Sequence, residues 1–264
     1  MLQGKYAVVL SRNARGVAAV EAAKAMAAEL SVAYLDRPHN QVLEDFMAAQ
    51  GLAAVIVLEK DGPRIHSPQG TFAYHPGMAE IRAQQLLRGA PDHLVRALDL
   101  RPGLRVLDCT LGLASDAAVA ACVVGPSGAV VGLEASLLLY FAVKRGLASY
   151  ECKTPLLTAA LRRVQAVHAV AADYLAQCVK AGTSFDVVYF DPMFRHPVQG
   201  SKAMEALRPL SLEEPLAKST VELALKVAPR VVIKERSEYL LAEYGCEEYV
   251  GGKYSRVKFG IIRR

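Results

Sequence analysis

The spacing of hydrophobic positions changes along the chain. Between Lys5 and Thr71 the run YAVVL reads as a buried strand, GVAAVEAAKAMAAEL as an Ala-rich helix, and QVLEDFMAAQ as a second helix leading into the strand AAVIVLE. The stretch DGPRIHSPQGTFAYHPGM holds three prolines and three glycines, and reads as a turn-rich connector with room for a hairpin. Helices are expected from Met78 to Leu87 and from Asp92 to Leu98, closed by the Arg-Pro-Gly turn at 101–103. A regular series follows. Strands LRVLDC, AVVGLE, VQAVHAV, FDVVYFD and RVVIKE alternate with helices over SDAAVAACVV, LLLYFAVKRGLASY with PLLTAALRRV, DYLAQCVK and STVELALKVA. Two last strands lie near CEEYV and RVKFGIIRR, and the GGKY turn joins them as an antiparallel hairpin. Apolar strands separated by helices imply a parallel sheet covered on both faces. The expected class is therefore α/β: a doubly wound, mostly parallel seven-stranded Rossmann-like sheet over residues 71–264, preceded by a small α/β segment, 1–70.

Composition narrows the classes. Of 264 residues 53% are hydrophobic and 22% charged, a globular mixture that excludes a disordered, collagen-like or coiled-coil chain. Lys and Arg number 31 against 26 Asp and Glu, and the net charge of +5 permits a polyanionic partner without demanding one. The five cysteines are scattered with no C-x-x-C pair, so neither a disulfide framework nor a metal cluster is expected. The start MLQGKYAVVLSRNARG lacks a signal-peptide core and no apolar run reaches a membrane span. The expectation is a cytoplasmic protein with neither membrane nor metal.

In a doubly wound sheet the ligand sits outside the carboxyl ends of the strands, against the loop after the first one. Here that loop is DCTLGLASD, with one glycine where a dinucleotide fingerprint has three and with Asp108 where a pyrophosphate would be repelled. A cationic ligand explains the acid better. S-adenosylmethionine carries a sulfonium and an ammonium that Asp108 and Asp116 would offset, while Thr110 and the Gly112 backbone line the turn. Glu134, ending the second strand, suits a carboxylate accepting from both ribose hydroxyls, although strand-end acids are also common as solvated caps. Asp173, at the end of the third strand in VAADYL and with Tyr174 beside it, is either an acceptor for the adenine amino group or a cap of the helix DYLAQCVK.

The fourth strand ends in Asp191-Pro192-Met193-Phe194, and a carboxylate and proline closing a buried central strand are poor packing material. Asp191 and the Pro192 carbonyl can accept both hydrogens of an exocyclic amine while Phe194 stacks on the base.

The runs VLDCTLGLASDA, GLEAS, VVYFDPMF and RVVIKERSEY together resemble the bacterial small-subunit ribosomal RNA guanine-N2 methyltransferases of the RsmJ (YhiQ) type, within the class I S-adenosylmethionine-dependent methyltransferases, over roughly residues 72–264. The resemblance implies that Ser115, Asp116, Glu134, Ala135, Ala172, Asp173 and Asp191 contact the cofactor, and that Asp191 and Phe194 address the target guanine. His75 and Arg82, in HPGMAEIR, stand where such enzymes place a lid over the methionine end. Ala114 replaces a glycine of the family loop, which is tolerable if the position is not left-handed. Among the basic residues near the crevice, Arg195, Lys202 and Lys234 are candidates for RNA phosphates, with ribosomal RNA or the small subunit as partner. A second reading keeps the cofactor and changes the acceptor to adenine in DNA or another amine. A third is a non-catalytic RNA-binding assembly factor, against which intact Asp191, Pro192 and Phe194 argue.

Overall fold

The computed structural model describes residues 5–14, 16–59, 62–192, 215–252, 255 and 257–264. They fall into two units, the first ending at Tyr74 and the second beginning at His75.

The first unit runs β1 (Tyr6–Leu10), α1 (Val17–Glu29), β2 (Ala33–Tyr34), α2 (Leu43–Ala49), β3 (Ala54–Glu59), β4 (Gly62–Ser67) and β5 (Gly70–Phe72). Its sheet has the order β2-β1-β3-β4-β5, with β1 parallel to both neighbours and β3, β4 and β5 an antiparallel meander. The connector read as turn-rich is thus two strands, whose turns fall where its glycines and Pro68 lie. Buried β1 and β3 are apolar on both faces. Ala7, Val9, Val55 and Val57 pack on Phe46 and Met47 of α2, while α1 buries Ala23, Met26 and Ala27.

The second unit begins with α3 (Ala79–Leu87) and α4 (His93–Leu98). Then come β6 (Arg105–Asp108), α5 (Ser115–Val124), β7 (Ala129–Glu134), α6 (Leu137–Ser149), α7 (Pro155–Leu161), β8 (Val164–His168) and α8 (Ala171–Ala181). It closes with β9 (Val187–Phe190), α9 (Lys218–Val227), β10 (Arg230–Glu235), α10 (Glu238–Glu243), β11 (Glu248–Val250) and β12 (Lys258–Arg263). The seven strands are ordered β11-β12-β10-β9-β6-β7-β8, and β12 alone runs opposite to the other six. The chain winds outward from β6 through β7 to β8, then returns to place β9 on the other side of β6. The crevice of a doubly wound sheet opens at that reversal.

Strand alternation decides which residues reach it. Leu107, Val188, Phe190, Val231 and Ile233 face α8 and α9 in one core with Leu175, Cys178, Val221 and Ala224. Asp108, Tyr189, Asp191 and Lys234 have the opposite parity and share the other face. Asp108 pairs with Tyr189 on one side and Gly132 on the other, and Ile233 pairs with Phe190, so one step further along brings Lys234 beside Asp191. Helix α5, almost wholly Ala and Val, buries Ala117 to Ala121 and Val124 and presents Asp116 in its first turn. No helix among the described residues is long and apolar enough to cross a membrane.

Gly132 is required by packing. A methyl there would lie 2.3 Å from Leu111 Cδ1, and Leu111 belongs to the loop that follows β6. Gly132→Ala should therefore destabilise the protein by about 1–3 kcal/mol, the usual cost of overpacking. Denaturant titration checks this, and an unchanged midpoint would mean that Leu111 repacks freely.

Candidate functional site

The carboxyl edge of the sheet gathers charges that are far apart in sequence. Asp92 caps α4, accepting from the Leu94 and Val95 amides, and receives both the Nε and Nη2 of Arg82 at 2.7 and 2.8 Å. Arg82 Nη1 reaches on to Asp116 Oδ1 at 2.5 Å. The other oxygen of Asp116 accepts from the Tyr189 hydroxyl at 2.7 Å and from Lys234 Nζ at 3.1 Å. Lys234 Nζ also donates to Asp191 Oδ2 at 2.7 Å. The Asp191 amide donates to the Thr110 hydroxyl at 2.6 Å, and the Thr110 amide to Asp108 Oδ1 at 3.0 Å. One chain of alternating charge thus runs Asp92, Arg82, Asp116, Lys234, Asp191.

The carboxylates do not titrate alike. Burial works to raise Asp116, but Lys234, Arg82 and the Tyr189 hydroxyl outweigh it and hold the group below its ordinary value. Asp92 is lowered in the same way, burial being overcome by Arg82 and the two helix amides. Asp191 goes the other way: burial pushes it up to about 6, and Lys234 only partly opposes this. Asp108, 2% exposed, is pushed up to about 7 by burial, with Asp116 and Asp191 adding to the rise against the Thr110 hydrogen bonds. No described cation pairs with Asp108.

Glu134 forms a separate cradle. Its Oε2 accepts from the Gly112 amide at 3.1 Å and its Oε1 from the Ser136 amide at 2.8 Å. The Ala135 amide also acts on the carboxyl, and burial raises the group against these three backbone donors. Gly112 presents its amide from a left-handed conformation, φ +50°.

The structure therefore brings Asp108, Thr110, Asp116, Asp191, Arg82 and Lys234 together, and joins Gly112 to Glu134. Ser115 opens α5, 3.8 Å from where a Gly77 side chain would begin. The Ala135 carbonyl lies 3.1 Å from His168 Nε2. His75 accepts the Gly77 amide on Nδ1 and packs edge-on against Tyr150. Pro192 directly follows Asp191 at the strand end. Phe194, Arg195 and Lys202 lie outside the described residues.

Three readings change. Asp173 does not end the third strand: β8 stops at His168, and Ala172 and Asp173 stand in the first turn of α8, whose cap position is Val170. Asp116 does not stand free toward a ligand, because Arg82 and Lys234 bridge it to Asp92 and Asp191. Ala114 is left-handed, φ 58° and ψ 22°, so its methyl meets the steric penalty that a glycine would avoid, about 1–2 kcal/mol. Sequence reasoning also missed Tyr189 and Asp92. Each carried a signal: a tyrosine inside the apolar run VVYF needs a partner for its hydroxyl, and Asp92 stands at a helix start.

A family model described as "Putative SAM-dependent methyltransferase" matches residues 66–258. Among curated proteins, the chain is 35% identical to the uncharacterized protein YpiP of Bacillus subtilis over 215 residues, 81% of this chain and 82% of that one. It is 31% identical over 199 residues to ribosomal RNA small subunit methyltransferase J of Dechloromonas aromatica, covering 72% of this chain and 76% of the relative. Its fold matches the crystal structure of a SAM-dependent methyltransferase from Neisseria gonorrhoeae with a TM-score of 0.62 at 17% identity, over 97% of this chain and 95% of the other.

Asp108 supplies a test of the site's electrostatics. Its folded-state carboxyl holds a proton up to about pH 7, whereas an unfolded aspartate loses it near 4, so stability is lost as pH rises through that window. Asp108→Asn removes the titration, and its stabilising effect should be larger at pH 8 than at pH 5 by about 3 kcal/mol. Denaturation at both pH values measures this; an equal effect at both would show that Asp108 does not titrate there.

Proposed function

The chain belongs to the family of S-adenosylmethionine-dependent methyltransferases, and on that premise we propose that it methylates the exocyclic N2 amine of a guanine in small-subunit ribosomal RNA. Asp191 carries the reading. It closes the central strand at the point where the sheet reverses, immediately before Pro192, with its amide fixed by Thr110 and one oxygen held by Lys234. A carboxylate so placed, with the Pro192 carbonyl, orients an amine through its two hydrogens. The likeness to ribosomal RNA small subunit methyltransferase J supports RNA as the substrate.

The donor set suits the cofactor. Glu134 keeps acceptor capacity beyond its backbone amides for a hydroxyl of a vicinal diol, the Gly112 amide ties the loop to it, and Asp108 is a buried acid without a cation among the described residues. Ser115, Ala135, Ala172 and Asp173 are the further positions proposed to hold it, with His75 and Arg82 on the methionine side. When bound, S-adenosylmethionine would supply a methyl group activated on its sulfonium and leave as S-adenosylhomocysteine, with the amine's displaced proton passing to water. Phe194 is proposed as the stacking partner of the base, and Arg195 and Lys202 as phosphate contacts.

Transfer of labelled methyl groups to small subunits, naked ribosomal RNA and DNA, followed by nucleoside analysis, tests the proposal. N2-methylguanosine from a ribosomal substrate is expected; methyladenine in DNA, or no transfer to any of the three, would overturn it. In the same assay Asp191→Ala should slow single turnover by about a hundredfold or more while RNA binding is retained. Glu134→Ala should weaken S-adenosylhomocysteine binding by about 1–3 kcal/mol in calorimetry. An affinity within error of the parent would make Glu134 a loop-holding residue only.

A further inference from the structure

Lys234 stands out because its sequence context suggests a surface cation and its position makes it an internal one. Its side chain retains 22% of its accessible surface, and two of the ammonium's three donors are taken by Asp191 and Asp116. Contact with an RNA phosphate would compete with both pairs. Asp116 has Arg82 and the Tyr189 hydroxyl besides Lys234. Asp191 is different: Lys234 is its cation, and no described residue donates to Oδ1.

We propose that Lys234 is a positioning residue for methyl transfer, clamping Oδ2 of Asp191 so that Oδ1 is presented to the incoming amine and keeping that carboxylate charged at neutral pH. This rests on the role given to Asp191 above. A neutral Asp191 would present a hydroxyl donor on one oxygen and compete poorly as an acceptor for an N–H. The titratable and charged groups of the described elements that act on the pair are Asp116 from α5, Asp108 from β6, the neutral Tyr189 phenol from β9 and Glu235 from β10, with Arg82 of α3 behind Asp116. Apart from Arg82, which is committed to Asp116 and Asp92, these neighbours are acids. Lys234 is therefore the group that favours the charged form, against burial that holds Asp191 near 6 even with the lysine present. Its position follows from register, since β9 and β10 run parallel and Lys234 and Asp191 each lie one residue past the pair Ile233 and Phe190.

The test uses Lys234→Met and Lys234→Arg in the full chain, with two readouts. In the protein alone, carbon-13 NMR titration of the Asp191 carboxyl should show its midpoint raised by at least one pH unit in Lys234→Met and restored toward the parent in Lys234→Arg. In single-turnover methylation of small-subunit ribosomal RNA, Lys234→Met should be slowed tenfold or more at pH 7. Its acid limb should move upward by the same interval, and in an Asp191→Asn background the substitution should add little. Should Lys234→Met fail to fold, Lys234→Gln, which removes the charge and keeps a polar donor toward the two carboxylates, carries the same measurements. An Asp191 midpoint unmoved in Lys234→Met overturns the inference whatever the enzyme methylates, as does a rate loss without a shifted limb, which marks a purely structural lysine. A shifted midpoint with Asp191→Ala still fully active instead places the failure in the role assigned to Asp191.

Discussion

The carboxyl edge of the seven-stranded sheet depends on the matching of buried carboxylates with cations brought from distant segments. Asp116 lies between Arg82, 34 residues before it, and Lys234, 118 residues after it. Asp92 and Asp191 close the two ends of the chain. Partly buried charges of this kind add little net stability over apolar packing, but removing one partner leaves another charge stranded, at a typical cost of about 3–5 kcal/mol. The pairs therefore act as a specificity device. They fix α3, α4, α5, β9 and β10 in one arrangement around the loop after β6, which apolar contacts alone would hold less uniquely.

Against that background the two strand-end acids with no cation among the described residues acquire meaning. Asp108 and Glu134 lie on adjacent strands; their described partners are the Thr110 amide and hydroxyl and the Gly112, Ala135 and Ser136 amides. Both are raised by burial, a cost that a positively charged, hydroxyl-bearing ligand relieves. The same edge thus separates carboxylates satisfied from within the chain from those left for a ligand. The divide falls between α5, whose Asp116 is saturated, and the ends of β6 and β7.

The loop after β6 shows how geometry is tolerated at such a site. Ala114 takes a left-handed conformation at the cap of α5, and its methyl is fully buried. Burial of the methyl returns about 0.8 kcal/mol, so the strain is only partly offset locally. The remainder is carried by α5 itself, whose Ala and Val faces are packed nearly all round.

The alternation of apolar strands and helices, read along the sequence, determined the doubly wound sheet, its terminal hairpin and the strand ends where Asp108, Glu134 and Asp191 emerge, because these depend on local period and on the burial of continuous apolar runs. Strand β2 escaped it, being two residues long and too short for a period to register, and so did helix α10, which buries Leu241 alone. Asp173 was misplaced because a strand's last residue and a helix's first turn read alike across three residues. What only the tertiary structure decided is which charges meet. Lys234 looks like a surface residue until the register of β9 and β10 sets it beside Asp191, and Arg82 looks like part of an exposed helix until α3 lies against α5. Ion pairing is a matter of distances between segments up to 118 residues apart, and no local pattern encodes those distances.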